Sequence, residues 1–143
     1  MELYSNQVKT QDEALCHLFF HCCYKDGEFK KTEIENVSAK LVAAGLHTNM
    51  NFKQQIVKYQ QYAPAIKDEI AYLQYLLQLI KPVNELALYS YCAELCLSDA
   101  DLSTTEEKLL DKIAALLNIP DTNQITIKKL MSQRKVVETE KIF

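Results

Sequence analysis

Apolar residues recur along this chain at spacings of three and four, the period of an α-helix. The first such stretch opens at Thr10-x-x-Glu13, a capping box. It predicts a helix from about Gln11 to Tyr24. Leu15, Leu18, Phe19 and Cys22 fall on one face, and Cys16, Phe20 and Cys23 widen it, so this helix is predicted to be central and largely buried. Asp26-Gly27 ends it, because glycine accepts the left-handed conformation of a helix stop. A second helix runs from near Thr32 to Gly45 on a seam of Ile34, Val37, Leu41 and Ala44. A third, about Asn51 to Tyr62, carries Phe52, Ile56 and Tyr59 and is broken by Pro64. A fourth, Ala65 to Ile80, carries Ile66, Ile70, Leu73, Leu77 and Ile80, and Pro82 follows. A fifth spans Val83 to Leu97 with Leu86, Tyr89, Ala93 and Cys96 on one face. A sixth spans Thr104 to Leu117 with Leu109, Leu110, Ile113, Leu116 and Leu117. After Pro120 a short seventh helix runs from about Thr122 to Gln133. Its QITIK stretch also suits a strand, but no second strand is written to pair with it. Residues 134–143 read as a frayed tail. The expected fold is all-α, a single-domain compact bundle of about seven helices over residues 1–143.

Composition agrees with this. Only two glycines and three prolines occur in 143 residues, too few for an all-β or glycine-loop fold. Apolar residues make up 48% and charged residues 24%, as in a soluble globular protein. The formal net charge of -3 argues against a nucleic-acid partner, which would call for a basic domain. No apolar run approaches the ~18 residues of a membrane span, so direct membrane insertion is not expected. MELYSNQVKT lacks the layout of a signal peptide, and a cytoplasmic location is expected. The five cysteines all lie in apolar helical patterns, which reads as buried reduced thiols.

The pattern also repeats. YKDGEFKKTE (24–33) and LSDADLSTTE (97–106) each place an acid, a second acid two residues on, an apolar residue, and a Glu seven residues after the first acid. At an offset of 73 positions Ala14-Leu15 meets Ala87-Leu88, Cys23 meets Cys96, Asp26 meets Asp99, Glu28 meets Asp101, Phe29 meets Leu102, Glu33 meets Glu106 and Leu46 meets Ile119. Each unit, about 11–46 and 84–119, is an apolar helix, an acidic corner and an amphipathic helix. The middle helices, about 50–80, lie between them. Two such hairpins suit a pseudo-two-fold bundle.

An apolar helix ending in D-G-x-[apolar]-x-x-x-E, then an amphipathic helix, then an equivalent unit, resembles the TerB family of tellurite-resistance proteins. The N-terminal domain of membrane-anchored DnaJ-like co-chaperones shares the pattern. The resemblance covers roughly residues 10 to 120. It implies an all-helical fold, acidic residues that bind a divalent cation, and a role in stress or metal-ion response. That role is exerted through protein partners, membrane-associated ones among them, and not through catalysis. The implied acids fall on Asp26 and Glu33 in the first unit and on Asp99 and Glu106 in the second, with Glu28 and Asp101 where further acids often stand. Ala100 replaces the expected glycine, and Lys30-Lys31 stands where a serine is common.

Two readings of these acids compete. Thr32-x-x-Glu35, Ser103-x-x-Glu106 and Thr104-x-x-Glu107 are capping-box patterns, and acids in a first turn suit the positive end of the helix dipole. That accounts for Glu33, Glu35, Glu106 and Glu107 without a metal, but less well for Asp26, Glu28, Asp99 and Asp101, which precede the helices. The alternative is Ca2+ or Mg2+ held by carboxylate oxygens. Neither corner is an EF-hand. Counting from Asp99, the glycine position is Thr104 and the bidentate glutamate position is Leu110; from Asp26 they are Lys31 and Val37. The second corner is the better cation candidate, because no lysine pair adjoins it.

HLFFHCC (17–23) places His17 and His21 four apart on one helix face, a spacing zinc uses, with Cys92, Cys96 or His47 as conceivable further ligands. The zincin glutamate is absent, Leu18 standing in its place. The plainer reading is Phe and Cys in the core with the histidines at its margin. A nucleophilic Cys22 or Cys23 beside His21 would sit in apolar surroundings on diverging side chains. Tyrosines in YQQY (59–62) and YLQY (72–75) suit either a core margin or a partner surface. The expected function is a non-enzymatic interaction module, tuned by a cation at the acidic corners. The alternatives are a purely structural adaptor with no ion and a small zinc- or Cys/His-dependent enzyme.

Overall fold

The computed structural model describes residues 3–23, 31–43, 45, 51–96 and 104–139, with side chains given except at 31–33, 104, 132 and 134–139. Within them the chain is all-α, and its contacts divide it into two units, Met1–Val83 and Asn84–Phe143.

The first unit holds α1 (Tyr4–Gln7), α2 (Gln11–Cys23), α3 (Lys31–Ala43), α4 (Phe52–Tyr62), a 3-10 turn (Ala63–Ala65) and α5 (Glu69–Ile80). The α2 helix packs against α3, α4 and α5 and buries Ala14 and all of Cys16–Phe20, plus Cys22 and Cys23, so it is the central helix its apolar width predicts. Thr10 caps it: the Glu13 N–H donates to Thr10 Oγ1 (3.1 Å). In return Glu13 Oε1 accepts from the Lys9 N–H (3.3 Å), one residue earlier than a standard capping box. The Gln11 amide donates to the Ile80 carbonyl (2.6 Å), tying the start of α2 to the end of α5. The Tyr75 hydroxyl donates to the Val8 carbonyl (2.5 Å), fastening the N-terminal segment to α5.

The fourth helix starts later than its sequence suggests. Pro64 opens a 3-10 turn, and α5 begins only at Glu69, where Asp68 Oδ1 accepts the Ala71 N–H (3.0 Å). Its buried face is Tyr72, Leu73, Leu76 and Ile80, while Ile70 is exposed. The expected seam through Ile66, Ile70 and Leu77 is therefore rotated, because the helix does not include Ile66. Lys81 ends α5 in the left-handed region (φ 48°) ahead of Pro82.

The second unit holds α6 (Glu85–Cys96), α7 (Thr104–Leu117) and α8 (Asp121–Thr139). Asn84 caps α6, its Oδ1 accepting the Ala87 N–H (3.0 Å), so this helix begins at Glu85 and not at Val83. The α6 helix packs on α7 and α8. Leu109, Leu110, Ile113 and Leu117 of α7 are buried as their spacing predicts. Asn118 (φ 57°) and Pro120 turn the chain into α8. The seventh helix of the sequence pattern is α8, QITIK included, and the expected tail is corrected over 134–139, where α8 continues to Thr139; residues 140–143 lie outside the described residues. Contacts with α6 and a Lys128–Asp111 ion pair (3.2 Å) to α7 override the β-branched local preference. Among the described residues there are eight α-helices and no strand, and no helix is long and apolar enough to cross a membrane. The short α1 had no sequence signal. All five cysteines are free buried thiols.

Candidate functional site

Asp26, Glu28, Asp99 and Asp101 lie outside the described residues. Glu33 belongs to the first turn of α3, but its side chain is likewise outside them. Glu106 is described. It stands in the first turn of α7 and is buried, 5% exposed, whereas its neighbour Glu107 is exposed. An acid that served only the helix dipole could stay in water, as Glu107 does. Burying a carboxylate is costly unless charge and hydrogen bonds compensate it. No group of three or more His, Cys, Asp or Glu side chains placed to hold a metal occurs among the described residues.

Three polar residues are buried among those described: Glu106, His17 and Gln55. The latter two belong to a chain of hydrogen bonds through the first unit. His17 Nε2 meets Gln55 Oε1 at 2.7 Å, and His17 Nδ1 meets the Tyr62 hydroxyl at 2.6 Å. The Tyr62 hydroxyl meets that of Tyr72 at 2.6 Å. At the other end the Gln55 amide nitrogen donates to Glu13 Oε2 (3.2 Å), which also faces Lys58 Nζ at 3.5 Å. One turn along α2, His21 Nε2 meets Glu69 Oε2 (2.8 Å) and His21 Nδ1 meets the Tyr59 hydroxyl (2.7 Å). The rings pack on one another as well: His17 stacks on Tyr62 at 5.6 Å, and Tyr4 lies edge-on to Tyr72 at 4.9 Å.

The carboxylate of Glu13 sets the direction of every bond in the chain. A carboxylate only accepts, so the Gln55 nitrogen faces it and the Gln55 oxygen faces His17. That oxygen also only accepts, so His17 carries its proton on Nε2. Nδ1 then accepts from the Tyr62 hydroxyl, whose oxygen accepts from Tyr72. Electrostatics agree with a neutral ring. Burial pushes His17 down to about 4, against the Gln55 hydrogen bond and the Glu13 charge, which act the other way. Burial also pushes the Tyr62 and Tyr72 hydroxyls up. For Glu13 burial acts upward but is outweighed by bonds from the Lys9 N–H, Gln55 and Thr10 and by the Lys58 charge, so its carboxyl lies below the usual value.

This arrangement corrects several expectations. His17 is not at the core margin but fully buried within it. Both nitrogens of each histidine are engaged, so neither presents a lone pair for zinc. Cys22 and Cys23 are buried, as the apolar surroundings of the pair lead one to expect, and burial raises the thiol of their neighbour Cys16. Tyr59, Tyr62 and Tyr72 are core residues and not a partner surface. The buried face of α4 is Gln55, Tyr59 and Tyr62, at spacings of four and three, and not Phe52 and Ile56. That spacing, opposite two histidines also four apart, is the signal in the sequence for the network; Gln55 and Glu69 carry none, and Glu13 shows only as a helix cap.

A family model described as tellurite resistance protein TerB matches residues 12–129, most of the chain. No curated protein and no solved structure matches it.

Proposed function

Taking as premise that the chain belongs to the TerB family, we propose that it is a non-enzymatic module of the response to tellurite or metal-ion stress. It acts through a protein partner, with a hard divalent cation at its acidic corners. The recurrence of the same acidic motif at two helix corners carries the ion part of this reading. Asp99, Asp101 and Glu106 would hold Ca2+ or Mg2+ at the second corner, and Asp26, Glu28 and Glu33 at the first; all offer the oxygen donors such ions take. When bound, the cation would offset carboxylate charge at the turn joining two helices. The helix bounds support treating the corners as equivalent: α2 ends at Cys23 and α6 at Cys96, and α3 opens at Lys31 and α7 at Thr104, both pairs 73 positions apart. The non-enzymatic part is supported by His17, His21 and the thiols of Cys16, Cys22 and Cys23, which are spent on internal bonds and burial.

A second reading keeps the corners free of ions, with the acids as caps. The exposed first-turn Glu107 favours it. Growth on tellurite of the source organism, with the gene deleted and then restored, tests the role. The wild-type gene should restore tolerance, and an Asp99→Asn plus Asp101→Asn variant of normal stability should not. Full tolerance from that variant would leave the caps reading, and tolerance unaffected by deletion would contradict the stress role.

A further inference from the structure

The α4 helix is docked by polar groups. Its buried side chains are Gln55, Tyr59 and Tyr62, and each is the hydrogen-bond partner of a histidine on α2. Its apolar residues sit further out: Phe52 and Ile56 are half-buried, and Val57 is 52% exposed. Phe52 adds one ring contact, to Phe20 of α2 at 5.5 Å. Little aliphatic burial therefore holds α4; it is held by the buried Tyr59 and Tyr62 rings, packed on Phe20 and Tyr72, and by hydrogen bonds that depend on where the imidazole protons are.

His17 is the sensitive point. Its neutral form, protonated on Nε2, satisfies every bond in the chain. A second proton on Nδ1 would face the Tyr62 hydroxyl, which now donates there. Tyr62 would have to turn its own proton toward Tyr72, whose hydroxyl already points back. Tyr72 must turn in its turn, which leaves its buried O–H without an acceptor in the chain and a positive charge on a fully buried ring. The groups facing the ring are Glu13 on its own helix and Gln55, Lys58, Tyr59 and Tyr62 on α4, with Cys16 of α2 and Tyr72 of α5 acting on it through Tyr62. Glu13 is already bonded to Gln55 and faces Lys58, so it is not free to take up the new charge directly.

We propose that α4 is a histidine-latched helix, which disengages from α2 when His17 takes a second proton and uncovers the His17–His21 face of α2 before the rest of the chain unfolds. This does not rest on the cation reading.

The test is amide exchange of the whole chain followed by NMR, alongside the imidazole nitrogen signals of His17, from pH 7.5 to 4. His17 should be neutral and carry its proton on Nε2 at neutral pH. Protection of the α4 amides should then fall ~10-fold per pH unit below about 6.5 and level off near about 4, while α7 amides keep theirs. In His17→Phe the α4 profile should be flat over that range. The proposal is overturned if the His17 proton sits on Nδ1, if His17 titrates without any change in α4 protection, or if α4 and α7 open in one step. It is also overturned if His17→Phe keeps the wild-type α4 profile. The wild-type titration decides without the variant.

Discussion

Replacing Gln55 with leucine removes the central link of the buried hydrogen-bond chain while keeping the volume of the side chain nearly constant. In the wild type both ends of this amide are used, accepting from His17 Nε2 at 2.7 Å and donating to Glu13 Oε2 at 3.2 Å. The leucine leaves the His17 N–H buried without an acceptor, a cost of ~1–3 kcal/mol. Glu13 is only partly buried and retains Lys58, Thr10 and the Lys9 N–H, so its loss is small. Burying a leucine in place of an amide returns ~1 kcal/mol. The net is a destabilisation of about 1 kcal/mol, or roughly 4–8 °C in Tm if Met1–Val83 melts as its own cooperative unit. The matched control is Gln54→Leu, one position earlier on the exposed face of α4, which should stay within ~0.5 kcal/mol of wild type. Urea unfolding followed by circular dichroism, with calorimetry for Tm, measures both. If the two variants are equally stable, the Gln55 amide is not the link described here.

Other consequences follow from single features. The folded state holds His17 at about 4, below its ordinary value near 6.5, so a proton binds the unfolded chain better; this stability is complete above pH ~6.5 and is lost as pH falls to about 4, ~3 kcal/mol in all. Urea midpoints at pH 7, 5.5 and 4.5 should fall in that order, and a rise on acidification would contradict the neutral buried ring. Asp68→Ala removes the cap on the Ala71 N–H and should cost about 1 kcal/mol by urea unfolding; an unchanged midpoint would mean the cap adds nothing. Because all five thiols are buried, iodoacetamide should label none of them rapidly in the native protein and all five in denaturant, as read by mass. Fast native labelling of any one would place that cysteine at the surface.

Helix order was legible because its signals are local. The three-and-four spacing, the Thr10–Glu13 cap and the breaks at Pro64, Pro82 and Pro120 all act within a few residues. Misreadings arose where the deciding interaction is elsewhere. The start of α5 depends on whether Asp68 or Pro64 organises the turn, and the length of α8 depends on packing against α6 and on the Lys128 pair. His17 and His21 were visible as a pair, but Tyr62 and Glu69 are 45 and 48 positions away from their partners, so no local rule could join them. Glu106 and Glu107 look alike as first-turn acids, and only tertiary packing separates the buried one from the exposed one. The other acids of the motif lie outside the described residues, apart from the backbone of Glu33.

The most direct measurement is thermal unfolding of metal-stripped protein with and without ~1 mM Ca2+, Mg2+, Mn2+ or Zn2+. A cation that binds only the folded state, present at ~100 times its dissociation constant, adds about 2.7 kcal/mol. A rise in Tm with Ca2+ or Mg2+ that disappears in the Asp99→Asn plus Asp101→Asn variant is the expected result. No shift with any hard cation, or the same shift in wild type and variant, would contradict a cation at the acidic corner.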